Sequence, residues 1–151
     1  CLGGQLMSKA LGGMVTRNPV KEIGWGKALG ENDDIARHWL GDYASQSATI
    51  FQWHGETFGL PPGASRLLAN GYCANQMFAI GPHLAMQCHV EMTPEMIATW
   101  CGQWADEALA VADQPSVQTP AEMQDEIAAR LPVMRALSEQ LYSGWVRGLR
   151  R

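Results

Sequence analysis

The chain has 151 residues, 46% hydrophobic and 17% charged, with a formal net charge of −4. That is one domain's worth of chain, and its acidic balance offers no basic surface to nucleic acid or an anionic membrane. No apolar run approaches the ~20 residues of a membrane-spanning helix, no signal-peptide pattern is present, and the four scattered cysteines (Cys1, Cys73, Cys88, Cys101) lack C-x-x-C spacing, which favours reduced thiols in a cytoplasmic setting.

Residues 4–11 read as a short helix stopped by Gly12-Gly13. A strand over 14–17 follows, then a turn at Asn18-Pro19. Residues 22–29 alternate loosely as a strand whose glycines suggest a bulge or a close backbone approach. Asn32 is placed to cap a helical run over 33–40, with Asp33 and Asp34 near its positive end. The apolar run 48–53 predicts a buried strand that delivers His54-Gly55-Glu56 to its end. Leu60-Pro61-Pro62-Gly63 is a loop, and 65–69, 76–80 and 83–89 are short strands, the last two joined in a hairpin at Gly81-Pro82. His89 would then end a strand, on an edge where open α/β sheets bind ligands.

Thr93-Pro94 is a helix start, and that helix is expected to reach about residue 113. After a linker over 115–118, Thr119-Pro120-Ala121-Glu122 is a capping box opening a second helix toward residue 149. Pro132 should kink or break it. Ile127, Leu131, Met134, Leu137, Leu141 and Trp145 recur at three or four, so one face packs.

Two stretches carry chemistry. Cys1 precedes a glycine-rich turn (Leu2-Gly3-Gly4) and a helix, the grammar of a nucleophile on a sharp strand-to-helix turn. A helix start supplies unpaired N–H groups and a positive dipole end that favour a thiolate, and the Leu2 N–H is the natural oxyanion donor. Gly3 is expected to shape the turn and the pocket floor. In the second stretch, Gln87-Cys88-His89-Val90-Glu91, residues two apart share a side of an extended segment. Glu91 can therefore orient His89 as a base for Cys1, while Cys88 points away into the core. A zinc site from His83, Cys88, His89 and Glu91 has no standard ligand spacing.

With these residues the sequence resembles the class I, triad-type glutamine amidotransferases. Their elbow, G-x-C-x-G-x-Q, is matched by Cys1-Leu2-Gly3-Gly4-Gln5; their H-P-E is matched by His89-Val90-Glu91 without the proline; Gln52-Trp53-His54-Gly55-Glu56 looks like their S-H-G-D segment. Gly24-Trp25-Gly26 and Leu60-Pro61-Pro62-Gly63 are similar to text of the stand-alone members. The resemblance implies a flavodoxin-like α/β fold of the class I type, here starting at the nucleophile and lacking its N-terminal βα units. Residues 1–97 would be the C-terminal part of the amidotransferase domain and 98–151 a helical extension.

It implies Cys1, His89 and Glu91 as catalytic residues, with Leu2, Gly3, Gln5, Trp53 and His54 holding the oxyanion and substrate. Glutamine or a γ-glutamyl compound would be the substrate, and ammonia would pass to a synthetase partner or an upstream domain. The half-reaction needs no cofactor and no metal, and neither nucleic acid nor membrane is an expected partner. A γ-glutamyl amide or peptide hydrolase with the same triad and a non-catalytic regulatory module are the competing readings.

Overall fold

The computed structural model describes residues 1–149. Helix α1 (Leu2–Ala10) leads into a long strand, β1 (Val15–Gly30), and helix α2 (Asp34–Leu40). Strands β2 (Ser47–Phe58), β3 (Ser65–Ala69), β4 (Met77–Ile80) and β5 (His83–Met86) follow, then helices α3 (Pro94–Gln103), α4 (Ala105–Leu109), α5 (Pro120–Asp125) and α6 (Ile127–Gly148). The strands form one antiparallel sheet in the order β2-β1-β3-β4-β5. Alternation along β4 divides the interior: Met77 and Ala79 join the main core with α2, α3, α5 and α6, while Phe78 faces a smaller cluster with Phe58, Ala85 and Met7 of α1. Helices therefore cover both faces. Residue 98 lies inside α3, and the main core takes side chains from both sides of it.

The expected turn at Asn18-Pro19 is instead a bulge within β1. Between Arg17↔Glu56 and Glu22↔His54 the register shifts, so residues 18–21 of β1 stand opposite Gly55 alone. Proline has no N–H to give the ladder, so a bulge is where a strand tolerates it. Asn18 closes the bulge, its Nδ2 donating to the carbonyls of Val20 (2.9 Å) and Tyr72 (2.9 Å). Such a bulge re-aims a strand locally, and here it turns residues 17–21 toward the cavity described below.

Several boundaries differ from the sequence reading. Asp33, not Asn32, caps α2, accepting from Ala36 N at 2.8 Å, while Asn32 Oδ1 takes Arg37 Nη1 at 2.6 Å. Strand β2 does not stop at Trp53: its pairing with β1 resumes beyond the bulge, which carries His54-Gly55-Glu56 inside the strand. Strand β5 ends at Met86, and His89 instead exchanges two backbone hydrogen bonds with Phe51 of β2 (3.0 and 2.8 Å).

The helix capped by Thr93 stops at Gln103, with Trp104 at the join to α4. The Thr119 capping box forms, but the helix after it breaks at Glu126, so Pro132 falls in the second turn of α6 and forfeits only its bond to the Ala128 carbonyl. On α6, Leu131, Met134, Leu137 and Leu141 are buried and Ile127 is partly buried, whereas Trp145 is 39% exposed.

Candidate active site

Cys1 is the N-cap of α1 and is half-buried; its carbonyl accepts the first helical hydrogen bond, from Gln5 N (3.1 Å). The N–H groups of the first turn have no acceptor within the helix, and α1 brings them to the edge of a cavity of about 740 Å³. The close-packed glycine of the turn is Gly4, where a Cβ would lie 2.6 Å from the Met86 carbonyl oxygen of β5. Gly3 does not form a pocket floor: it is exposed, lies outside the cavity lining, and nothing stands within 4 Å of where its Cβ would be. The helix docks through one glycine and turns the other to the surface.

His89 and Glu91 meet as their spacing predicts. Nδ1 of His89 lies 2.6 Å from Glu91 Oε1, and Glu91 Oε2 accepts the Val90 N–H at 3.0 Å. A proline at position 90 could not donate that bond, so the departure from H-P-E adds a clamp on the orienting carboxylate. Burial pushes the Glu91 carboxyl up, but the hydrogen bond and charge of His89, with backbone N–H groups, outweigh it and hold it below the ordinary carboxylate value. The His89 and Trp100 rings meet in a T-shape, 5.0 Å between centroids and 88° between planes. Its Nε2 is buried with no hydrogen-bond partner among the described residues, Cys1 Sγ included. The structure thus forms the His89–Glu91 pair but no hydrogen bond from Cys1 to His89. Cys88 faces the core, its thiol pushed up to about 12 by burial.

Four of the five oxyanion and substrate residues expected from the sequence, Leu2, Gln5, Trp53 and His54, meet at the cavity together with Cys1. Gln5 is held from below by Gln87, Nε2 to Oε1 at 3.2 Å. Gly3, His89 and Glu91 do not line it.

Sequence reasoning missed three residues here. Glu22 is buried directly under His54, its register partner. Its Oε1 accepts from Asn70 Nδ2 (2.5 Å) and Gln52 Nε2 (3.5 Å), and its Oε2 from Gln76 Nε2 (2.7 Å). His54 Nδ1 donates to the Glu56 carbonyl (2.9 Å), and Nε2 stands 3.1 Å from Glu22 Oε2, off the hydrogen-bond line. With Cys73, these two side chains are the group among the described residues whose ligand atoms lie within 4.8 Å of one another. Both Glu22 oxygens already take amide donors, and Cys73 Sγ lies 3.2 Å from Thr57 Oγ1, so the carboxylate and the thiol are committed to hydrogen bonds rather than left open as metal ligands. Lys21 and Glu107 are the other two: they pair at 2.6 Å, and Glu107 Oε2 also accepts the Trp53 indole N–H at 3.1 Å. Both line the cavity. No periodicity marks such residues, because what unites them is strand register and the return of α4.

No family model matches the sequence. The glutamine amidotransferase-like protein YfeJ of Salmonella typhimurium is 34% identical over 98 residues, 64% of this chain and 41% of that protein. The crystal structure of a glutamine amidotransferase from Methylobacillus flagellatus superposes on the whole chain with a TM-score of 0.93 at 38% identity, over 62% of its own length. The chain belongs to the class I glutamine amidotransferase-like family. Its fold is the mixed α/β, flavodoxin-like fold of these amidotransferases, and a glutamine amidotransferase from Thermotoga maritima shares it at a TM-score of 0.83 and 27% identity over 98% of this chain and 61% of that one. The chain thus spans between two-fifths and about three-fifths of these amidotransferase relatives. No described helix is long and apolar enough to cross a membrane.

Proposed function

We propose that this domain hydrolyses the side-chain amide of glutamine or a γ-glutamyl compound, with Cys1 as nucleophile, His89 as general base and acid, and Glu91 as the group that orients His89. The observation that carries this reading is the His89–Glu91 pair at 2.6 Å, with Nε2 left without a partner. A carboxylate on Nδ1 fixes the tautomer with the lone pair on Nε2 and stabilises the imidazolium formed when that nitrogen takes a proton.

Cys1 Sγ gives its proton to His89 Nε2 and attacks the carboxamide carbon. The carbonyl electron pair moves onto oxygen, and the N–H of Leu2 at the start of α1 stabilises the oxyanion. Collapse of this adduct breaks the C–N bond; His89 returns the proton to the leaving nitrogen, and ammonia departs from a γ-glutamyl thioester on Cys1. Water deprotonated by His89 then attacks the thioester and releases glutamate and the thiol. Gln5, Trp53 and His54 hold the substrate. Residues 1–97 carry this chemistry, with the helices after them as an extension whose last two positions, 150 and 151, lie outside the described residues, and a synthetase partner or domain receives the ammonia. No step calls for a metal or a cofactor.

The test is intact-mass labelling of the protein with a glutamine-like diazo ketone beside a Cys1→Ala control. One adduct, absent from Cys1→Ala and prevented by glutamine, is the expected result. Labelling that glutamine does not prevent points to another γ-glutamyl substrate. A folded protein that takes no label refutes the assignment of Cys1.

A further inference from the structure

The cavity carries a charged wall that the hydrolytic residues do not use. Lys21, from the bulge in β1, and Glu107, from α4, pair at 2.6 Å with side chains 39% and 43% exposed. An ion pair this exposed contributes little to stability, so each partner can exchange the other for a ligand at small cost. Glu107 is nevertheless held in place: its second oxygen accepts the indole N–H of Trp53, which packs edge-on against Trp104 (5.5 Å between centroids) and Trp100 (6.0 Å). The Lys21 stem runs over Gly55, where a Cβ would approach its Cγ to 3.3 Å. Arg17, at the other side of the bulge, lines the same cavity and makes no ion pair with the described residues. One concave surface therefore presents a fixed carboxylate and two cations, together with Cys1.

We propose that Glu107 and Lys21 form a zwitterion subsite that selects substrates with an intact α-amino-acid end: Glu107 takes the α-ammonium, and Lys21, released from Glu107 and joined by Arg17, takes the α-carboxylate. The proposal rests on the γ-glutamyl reading above and gives the C-terminal helices a role in it, as the wall that recognises the far end of the substrate. Glu56 also lines the cavity, but it is exposed and no donor among the described residues holds its side chain. Glu107 is preorganised by Trp53, and preorganised charge binds better because less ordering remains to be done on binding. The charges also sort ligands. A γ-carboxamide without the α-ammonium leaves Glu107 on Lys21, and one without the α-carboxylate leaves Lys21 and Arg17 unmatched.

The experiment is calorimetric binding of L-glutamine and of glutaramate, its analogue lacking the α-ammonium, to the Cys1→Ala protein, where no turnover intervenes. Adding Glu107→Gln should weaken L-glutamine about 10- to 100-fold, the size expected for a lost charged hydrogen bond, and should not weaken glutaramate. Adding Lys21→Met should weaken L-glutamine, whose ammonium releases Lys21 from Glu107, and not glutaramate, which leaves the pair closed. Equal losses for the two ligands in Glu107→Gln would make Glu107 a structural residue and overturn the subsite, as would no loss for either or an absence of glutamine binding to Cys1→Ala. Failure of the hydrolytic reading appears separately: a protein that binds glutamine through Glu107 but is never labelled at Cys1 keeps the subsite and loses the chemistry.

Discussion

Glu22 offers the sharpest test of how the site is held, because its side chain is 3% exposed, that of His54 is 1% exposed, and four neighbours converge on its carboxylate. Breaking a buried ionic hydrogen-bond set costs about 3–5 kcal/mol, and the surrounding amides decide where in that range each variant falls. In Glu22→Gln the new NH2 group faces amide donors. Asn70 cannot turn its oxygen toward it, because Oδ1 already accepts the N–H groups of Tyr72 (3.0 Å) and Cys73 (2.7 Å). Gln52 and Gln76 can, since their Oε1 atoms are buried without partners and a flipped amide would accept from the new NH2. Glu22→Gln should therefore sit near the lower end, about 3 kcal/mol, and Glu22→Ala, which leaves every donor stranded, near the upper end, about 5 kcal/mol. For a chain of this length about 3 kcal/mol corresponds to a fall in Tm of roughly 6–12 °C. Urea unfolding followed by tryptophan fluorescence reads both variants. A Glu22→Gln protein within about 1 kcal/mol of the parent would show that the network under His54 does not hold β1 to β2, and the argument would fail.

Three further outcomes follow from the geometry. Gly4→Ala forces a methyl against the Met86 carbonyl and should destabilise by about 1–3 kcal/mol. Gly3→Ala meets open space and should gain about 0.5–1 kcal/mol, both read by urea unfolding; the reverse order would refute the docking of α1 on β5. A thiol reagent applied to the native protein should modify Cys1 alone, because burial pushes up the thiols of Cys73 and Cys101, and that of Cys88 to about 12; intact mass counts the adducts, and a second fast-reacting thiol would contradict the packing. The Glu91 carboxyl lies lower in the folded protein than its ordinary value, the pull of His89 and of backbone N–H groups outweighing burial. Its contribution to stability is thus complete above the ordinary carboxyl range and lost as pH falls through the folded value. Glu91→Gln should flatten that acid limb in unfolding curves measured against pH, and an unchanged limb would mean the pair with His89 does not persist in solution.

What the sequence revealed follows the reach of the interactions. The His89–Glu91 contact was legible because two residues on one side of an extended segment need no knowledge of the rest of the fold. The caps at Thr93 and Thr119 were legible for the same reason, each being satisfied within one turn. The fold class came through resemblance, which compresses the outcome of long-range packing into a few motif residues. Glu22 was not legible: a glutamate in a strand reads as a surface charge unless one knows that His54 stands opposite it and that Asn70 and Gln76 arrive from other segments. The glycines of the first turn show the same limit. Gly3 and Gly4 are indistinguishable as letters, and only the approach of β5 decides which one must lack a side chain.

The same logic explains why the C-terminal helices looked detachable. Read alone, the stretch after Glu91 is a pair of capped amphipathic helices with an apolar face, which argues only that they pack somewhere. The linker between them is what binds them to the site. Ile23 N donates to Ser116 O (3.1 Å), Gln118 N to Ile23 O (2.9 Å), and Ser116 Oγ to Lys21 O (2.6 Å). Residues 116–118 thereby run beside β1 in parallel, with Val117 bridged to Ile23. That attachment lies at the end of the bulge that turns residues 17–21 to the cavity, and α4, just before it, delivers Glu107 to Lys21. The proline that denies β1 a regular ladder and the helices that return to cap the break are two halves of one device, through which a segment distant in sequence supplies a charged wall to the cavity that Cys1 lines.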